Sequence, residues 1–81
     1  MRSEDVIGLI HAGFPEAEIH LDGADCNFSV RVVSDGFQGK STVKRHQAVI
    51  ATVKDKLASG ELHAMSVAAY TRVEWKQKLG G

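Results

Sequence analysis

Apolar residues recur in two different periods along the chain, and the first period is helical. Four apolar residues near the N-terminus are three or four positions apart, which predicts an amphipathic helix over residues 4–12: Val6, Ile7, Ile10 and Phe14. Ser3 is a good N-cap for this helix, and Gly13 with Pro15 ends it.

The pattern then changes to alternation, which is typical of strands with one buried face. It predicts strands over residues 17–22 and 26–34, joined by the tight turn Asp22–Asp25. Two consecutive strands with so short a connection pair as an antiparallel hairpin. Cys26 follows this turn directly and therefore lies at the mouth of the hairpin.

A second helix follows the glycine-containing loop Gly36–Lys40. Ser41 or Thr42 can cap it, and Gly60 ends it, so the predicted helix spans residues 42–59. Its apolar positions are Val43, Val49, Ile50, Val53 and Leu57. His46 lies on the same stripe, which predicts a buried, hydrogen-bonded histidine with a structural role.

The last part of the chain combines an uncharged run with a helix-capping motif. The run within residues 61–70 predicts a third strand, buried on both faces, in the middle of the sheet or beside the first two strands. Thr71 and Glu74 form a T-x-x-E capping box that opens a final helix, in which Trp75 is the predicted core anchor.

The order of elements predicts the fold class. Helix, strand, strand, helix, strand and helix form one α+β domain over residues 1–81, with the helices on one face of a three-stranded mixed sheet. The domain is small for a substrate cleft, and neither a glycine-rich oxyanion loop nor a third orienting residue accompanies Cys26. The sequence therefore predicts a protein that is not an enzyme.

Composition narrows the setting of the protein. Hydrophobic residues make up 43% of the chain and charged residues 25%, as in soluble globular domains, and no apolar run could span a membrane. The single cysteine cannot form an internal disulfide, which favours a reducing compartment such as the cytoplasm.

Charge is unevenly distributed, although the formal net charge is zero. Residues 1–35 contain seven acidic and two basic residues, whereas residues 36–81 contain eight basic and three acidic residues. A solvated helix face is one interpretation of the basic half. The other is a nucleic-acid site in which a G-x-x-G loop lies beside basic side chains: Gly36, Gly39, Lys40, Lys44 and Arg45.

A set of residues occurs in this order: Phe37-x-Gly39, Arg45-His46, Val49, Leu57, His63-Ala64, Thr71 and Glu74-Trp75. With this pattern the chain resembles the BolA family over essentially its whole length. The resemblance implies a class II KH-like fold, which agrees with the predicted order of elements. It also implies partnership with monothiol glutaredoxins and bound iron–sulfur clusters, or DNA binding as in some bacterial regulators. The family's candidate cluster ligands correspond here to Cys26 and His63.

The number of ligands shows what such a site would require. Thiolate and imidazole both ligate iron, but a two-iron cluster needs four ligands, and this chain offers one thiolate and at most two suitable histidines. A glutaredoxin cysteine and its glutathione, or a second copy of the chain, would have to complete a [2Fe–2S] site. The alternative to a ligand role is, for Cys26, that of a small buried hydrophobic residue. For His63 it is that of a strand-end histidine hydrogen-bonded to the backbone.

Overall fold

The structure is a computed structural model, and it describes residues 2–24 and 27–80. Helices and strands follow one another in the predicted order, with one additional break in the second helix. Their bounds are α1 (Ser3–Gly13), β1 (Glu18–Ala24), β2 (Asn27–Val33), α2 (Thr42–Ala51), α3 (Lys54–Ser59), β3 (Ala64–Tyr70) and α4 (Arg72–Gly80). A 3₁₀ turn over Asp35–Phe37 leads from β2 into the glycine loop.

The sheet is mixed and has the order β1-β2-β3, as the α+β prediction requires. β1 and β2 form the predicted antiparallel hairpin, in register from Glu18↔Val33 to Ala24↔Asn27. β2 and β3 are parallel, in register from Asn27↔Ala64 to Val33↔Tyr70. The central strand is therefore β2, and β3 lies beside it at the edge.

The prediction that β3 is buried on both faces is wrong. Met65 is buried on the core face, whereas Ala64, Ser66 and Ala68 are exposed on the other. The run lacks charges because its solvent-facing side chains are small, and small neutral side chains are compatible with either environment. An uncharged segment is therefore a weaker indicator of a central strand than alternation would be.

The hydrophobic core collects one or more residues from most elements, on the face of the sheet that α1 and α2 cover. Its fully buried members include Val6, Ile10, Val32, Phe37, Val49, Val53 and Leu62. Phe37 comes from the glycine loop, and its ring lies 5.0 Å from that of Phe14, centroid to centroid. Burial of one loop residue in this way fixes where the loop meets the start of α2.

The predicted helix over residues 42–59 is two helices in the structure. α2 ends at Ala51, because the Thr52 hydroxyl donates to the Val49 carbonyl (2.6 Å) and the Val53 N–H bonds the Ile50 carbonyl (3.0 Å) in a tighter turn. Two consecutive β-branched residues, one of them bonded back to the helix, disfavour continuation. The apolar spacing continues across the break, so the hydrophobic periodicity does not show where α2 ends.

The predicted helix ends are otherwise confirmed. Ser41 caps α2, with its hydroxyl accepting from the Lys44 N–H (3.3 Å), and Gly60 closes α3 in the left-handed conformation at φ 83°. The capping box is complete, because the Thr71 N–H donates to Glu74 Oε1 (2.9 Å) and the Glu74 N–H donates to Thr71 Oγ1 (3.2 Å). At α1, the N-cap is Arg2 instead of Ser3.

Two residues predicted for the core lie elsewhere. His46 is exposed, because the buried stripe of α2 is narrow: Val49 is fully buried, whereas Val43 is 65% exposed. Trp75 is half-buried and contacts the Tyr70 ring (5.2 Å) and the Arg31 guanidinium (4.1 Å). By strand register, Arg31 and Tyr70 lie on the face of the sheet opposite the core.

Candidate functional site

The candidate ligand His63 lies at the end of the sheet where two strands begin. Because β2 and β3 are parallel, their first residues are neighbours, and Asn27 pairs with Ala64. His63 precedes Ala64 directly, and its side chain is exposed. Cys26 precedes Asn27 in the sequence but lies outside the described residues, so its geometry as a ligand stays a prediction.

The backbone on both sides of His63 is fixed by packing and pairing. Leu62 is fully buried, and its N–H donates to the Lys56 carbonyl (3.1 Å). Ala64 begins the ladder with β2. The backbone at His63 therefore has a defined position, and its imidazole is exposed and not enclosed.

A charged pair lies shortly before His63 in the sequence. The Lys56 ammonium lies 2.8 Å from the Glu61 carboxylate. This hydrogen bond lowers the pKa of Glu61 and raises that of Lys56. Glu61 is thus held as a carboxylate two residues before His63 in the sequence.

The other histidines lie on other elements, His11 on α1, His20 on β1 and His46 on α2. His20 is exposed on β1, 3.6 Å from an Asp22 carboxylate oxygen. His11 Nε2 lies 3.1 Å from the Ala17 carbonyl oxygen. Within residues 2–24 and 27–80, no three or more His, Cys, Asp or Glu side chains are grouped as metal ligands.

The basic loop proposed for nucleic acid is only partly open. Gly39 adopts φ 77°, a conformation that favours glycine, and both Lys40 and Lys44 are exposed. Arg45 differs from these lysines, because its side chain is only 13% exposed and its guanidinium faces Glu74. Both glycines and both lysines of the predicted surface are therefore exposed, whereas its third charged residue, Arg45, is held inside the fold.

Arg45 joins the glycine loop, β3 and α4 through one guanidinium. Its two terminal nitrogens donate to the two Glu74 oxygens (2.6 and 3.1 Å), Nε donates to the Lys40 carbonyl (2.9 Å), and Nη1 also donates to the Ala69 carbonyl (3.3 Å). This pairing, with the Thr71 N–H, lowers the pKa of Glu74 from 4.5 to about 2. The T-x-x-E motif identified Glu74 as a cap, but nothing local in the sequence identified its partner 29 residues away.

Arg72 makes a second long-range connection that sequence reasoning missed. Its Nη2 donates to the Glu16 carbonyl (2.7 Å), and its backbone N–H donates to Asp35 Oδ1 (3.2 Å). The Glu18 and Asp35 carboxylates also lie within 4.0 Å of the guanidinium. The acidic first half and the basic second half of the sequence thus neutralise each other in part at the start of α4.

The order α-β-β-α-β-α around a mixed three-stranded sheet, with a glycine loop between sheet and helix, defines a small KH-like domain. In the segments of the chain described here, no helix is both long and apolar enough to cross a membrane. A family model described as "BolA-like protein" matches residues 10–74. The chain belongs to the BolA family.

Similar proteins agree with this assignment. The chain is 40% identical to an uncharacterised protein of the rpoN–murA intergenic region of Acinetobacter guillouiae, over 95% of this chain and 93% of that protein. It is 42% identical to the DNA-binding transcriptional regulator BolA of Vibrio cholerae, over 68% of this chain and 51% of that protein. A BolA homologue from Coxiella burnetii superposes with a TM-score of 0.82 at 25% identity, covering 94% of this chain and 97% of that one.

Proposed function

We propose that this protein is a BolA-like adaptor that binds a [2Fe–2S] cluster together with a monothiol glutaredoxin, with His63 and Cys26 as its ligands. The observation that carries the proposal is the parallel register of β2 and β3. It starts at Asn27 and Ala64, and each candidate ligand directly precedes one of these neighbours in the sequence.

The ligand chemistry supports a shared site. Imidazole and thiolate are established cluster ligands, but together they fill only two of the four positions that a two-iron cluster requires. A glutaredoxin cysteine and the thiol of its glutathione would fill the other two. The exposure of His63 supports this arrangement, because a ligand that bridges two proteins has to be reachable by the second one.

The test is the visible absorption spectrum of the complex purified after coexpression with a monothiol glutaredoxin. His63→Ala removes one ligand, so we expect a weaker or altered cluster spectrum and a shorter cluster lifetime. His20→Ala is the matched control, because it removes an exposed histidine from the far edge strand and is expected to change neither. Cluster properties in the His63→Ala complex equal to those of the parent would refute the role of His63.

Protonation offers a second readout of the same ligand. Only neutral imidazole binds a metal, so acid competes with the cluster for His63. We expect the cluster of the parent complex to be lost as the pH falls. His63→Cys replaces imidazole by thiolate, and a different acid midpoint for cluster loss in this variant is the expected sign of direct ligation.

DNA binding is the second proposed function, and the exposed pair Lys40 and Lys44 beside Gly39 favours it. Such lysines contact phosphates and contribute affinity with little sequence preference. The similarity to the Vibrio cholerae protein, whose name states DNA binding, points the same way. Arg45 is left out of this surface because Glu74 holds it.

The double variant Lys40→Glu/Lys44→Glu tests this surface. We expect it to lose DNA binding, and the salt dependence of the parent to have a log–log slope of roughly −0.9 per phosphate neutralised. Lys76→Glu/Lys78→Glu is the control, with the same change of charge on α4. If the loop variant binds DNA like the parent, or if both variants lose binding equally, the surface is not the one proposed.

A further inference from the structure

The outer edge of β3 presents backbone hydrogen-bonding groups on one side of the sheet. The Ser34 N–H donates to the Tyr70 carbonyl (2.8 Å), which continues the parallel ladder and shows that Tyr70 faces β2. Backbone groups alternate along a strand, so Ala64, Ser66 and Ala68 face β2 as well. The N–H and C=O groups of Met65, Val67 and Ala69 therefore point away from the sheet.

An independent contact confirms this orientation at one position. Arg45 Nη1 donates to the Ala69 carbonyl (3.3 Å), which it can reach only if that carbonyl points outward. Arg45 thus covers the C-terminal end of the edge. In the described part of the chain, no loop or turn hydrogen bond engages the backbone of Met65 or Val67.

The two edges of the sheet differ in how they are protected from pairing. β1 has Glu18 and Asp22 on its outer face, and exposed charges of this kind discourage strand addition. β3 has seven residues without a charge or a proline. Its solvent-facing side chains are small, and Val67 on the core face is only half-buried.

We propose that the edge of β3 pairs in antiparallel orientation with β3 of a second copy of this chain, centred on Ser66. In this register Met65 of each copy exchanges both backbone hydrogen bonds with Val67 of the other. Ala64 lies opposite Ala68, and the two Ser66 side chains lie side by side. The two sheets become one sheet of six strands, and the Ala69 carbonyl keeps its bond to Arg45.

A second copy fits this edge because the strand is complementary to itself. Every outward N–H between Met65 and Val67 meets an outward C=O, and no charge meets a like charge, since β3 has none. The pairing also covers the remaining exposed surface of Val67 with Met65 of the other copy. The four side chains that meet on the solvent face beside each Ser66 are alanines, so nothing bulky holds the strands apart.

A disulfide crosslink tests the register. In a non-hydrogen-bonded antiparallel pair the Cα atoms are roughly 4.5 Å apart, within the range of about 4.4–6.8 Å that a disulfide spans. In a Cys26→Ser background, Ser66→Cys is therefore expected to form a covalent dimer when oxidised with diamide. Ala68→Cys is the control, equally exposed on the same strand, but its two thiols would belong to residues about 14 Å apart along the strands.

A charge substitution tests the same edge without a crosslink. Ser66→Glu brings two carboxylates together across the proposed interface. In sedimentation velocity at high protein concentration, this variant is therefore expected to sediment as a monomer. Ser29→Glu is the control, because Ser29 pairs with Ser66 on the same exposed face but lies on the central strand. It is expected to leave the dimer unchanged.

The outcomes separate this arrangement from others. The proposal is overturned if the parent protein stays monomeric at high concentration. The edge of β3 would then be open to a strand of some other polypeptide. Equal crosslinking by Ser66→Cys and Ala68→Cys overturns it too, as does equal dissociation by the two glutamate variants. A Ser66→Cys crosslink without one at Ala68, together with dissociation by Ser66→Glu alone, supports it.

Discussion

Arg45 shows how one side chain can stabilise several elements at once. Its guanidinium makes two hydrogen bonds to the Glu74 carboxylate and one to each of two carbonyls, so four of its donor contacts are within the protein. Bidentate, charge-assisted pairs of this geometry are among the stronger polar contacts. The same carboxylate caps α4, and removing it would disturb both the cap and the charge pair.

The Glu74 carboxylate is expected to contribute to the free energy of unfolding, and this contribution is expected to be lost in acid. Its pKa is lowered from 4.5 to about 2, first by the Arg45 hydrogen bond. A carboxylate with a lowered pKa stabilises the folded state above its unfolded pKa and loses that contribution as the pH falls toward its folded pKa. We therefore expect Glu74→Gln to be less stable than the parent at pH 7, with a difference that narrows between about pH 4.5 and 2.

Urea unfolding at several pH values measures this difference. Glu4→Gln is the control, because Glu4 pairs with Arg2, and with no other residue among those that the structure describes, and both side chains are about three-quarters exposed. It is expected to leave the stability unchanged at every pH, since exposed pairs contribute little. A Glu74→Gln difference that stays constant across the acid range would contradict the role of ionised Glu74.

At the scale of elements, the ends of helices follow from local residues, whereas a break within a helix does not. Ser41, Gly60 and the Thr71–Glu74 box all act where the sequence predicts. The break after Ala51 depends on Thr52 bonding back to Val49 and on buried Val53. Both residues also fit an uninterrupted amphipathic helix, so periodicity alone could not locate the break.

The substitution of glycine by alanine is expected to change the free energy of unfolding in opposite directions at two positions. Gly60 has φ 83°, where a side chain costs about 1–2 kcal/mol, so Gly60→Ala is expected to lower the free energy of unfolding by about that amount. Gly8 lies inside α1, and a Cβ there would meet nothing within 4 Å. Gly8→Ala is expected to raise the free energy of unfolding by roughly 0.5–1 kcal/mol, because alanine favours helix.

Denaturant titration of both variants at neutral pH checks the pair. Each substitution adds the same methyl group at a position away from the hydrophobic core, so the two changes differ in backbone conformation alone. Shifts in the same direction for both variants would show that the assigned conformation of one glycine is wrong.

At the scale of the whole molecule, opposite charges separated in the sequence meet in the fold. Arg72 lies within hydrogen-bonding or ion-pair distance of groups on Glu16, Glu18 and Asp35, at the junction of β1, the glycine loop and α4. Lys40 and Lys44 are not part of this group of charges and are exposed. The charge asymmetry of the sequence therefore yields a smaller basic surface than the residue count indicates.

Some residues of the candidate sites can be identified from the sequence, whereas the role of others depends on tertiary contacts. His63 was identified through the resemblance of its His-Ala pair, and its exposure agrees with a ligand that a partner can reach. Arg45 was assigned to the basic surface because it adjoins Lys44, and its partner Glu74 is too distant in sequence to be inferred. His46 is predicted inside because it lies three positions after Val43 and four before Ile50, but Val43 is exposed and Ile50 only half-buried in the structure.

The sequence by itself determined the order of elements, the hairpin, most helix ends and the family, because these depend on local periodicity, capping residues and short motifs. The tertiary structure alone decided that β2 is central, that β3 is an edge strand beginning beside Asn27, and that Arg45 faces inward. These features depend on contacts between residues 24 to 37 positions apart, where many pairings have the same local pattern. Packing of the whole chain around one small core selects among them.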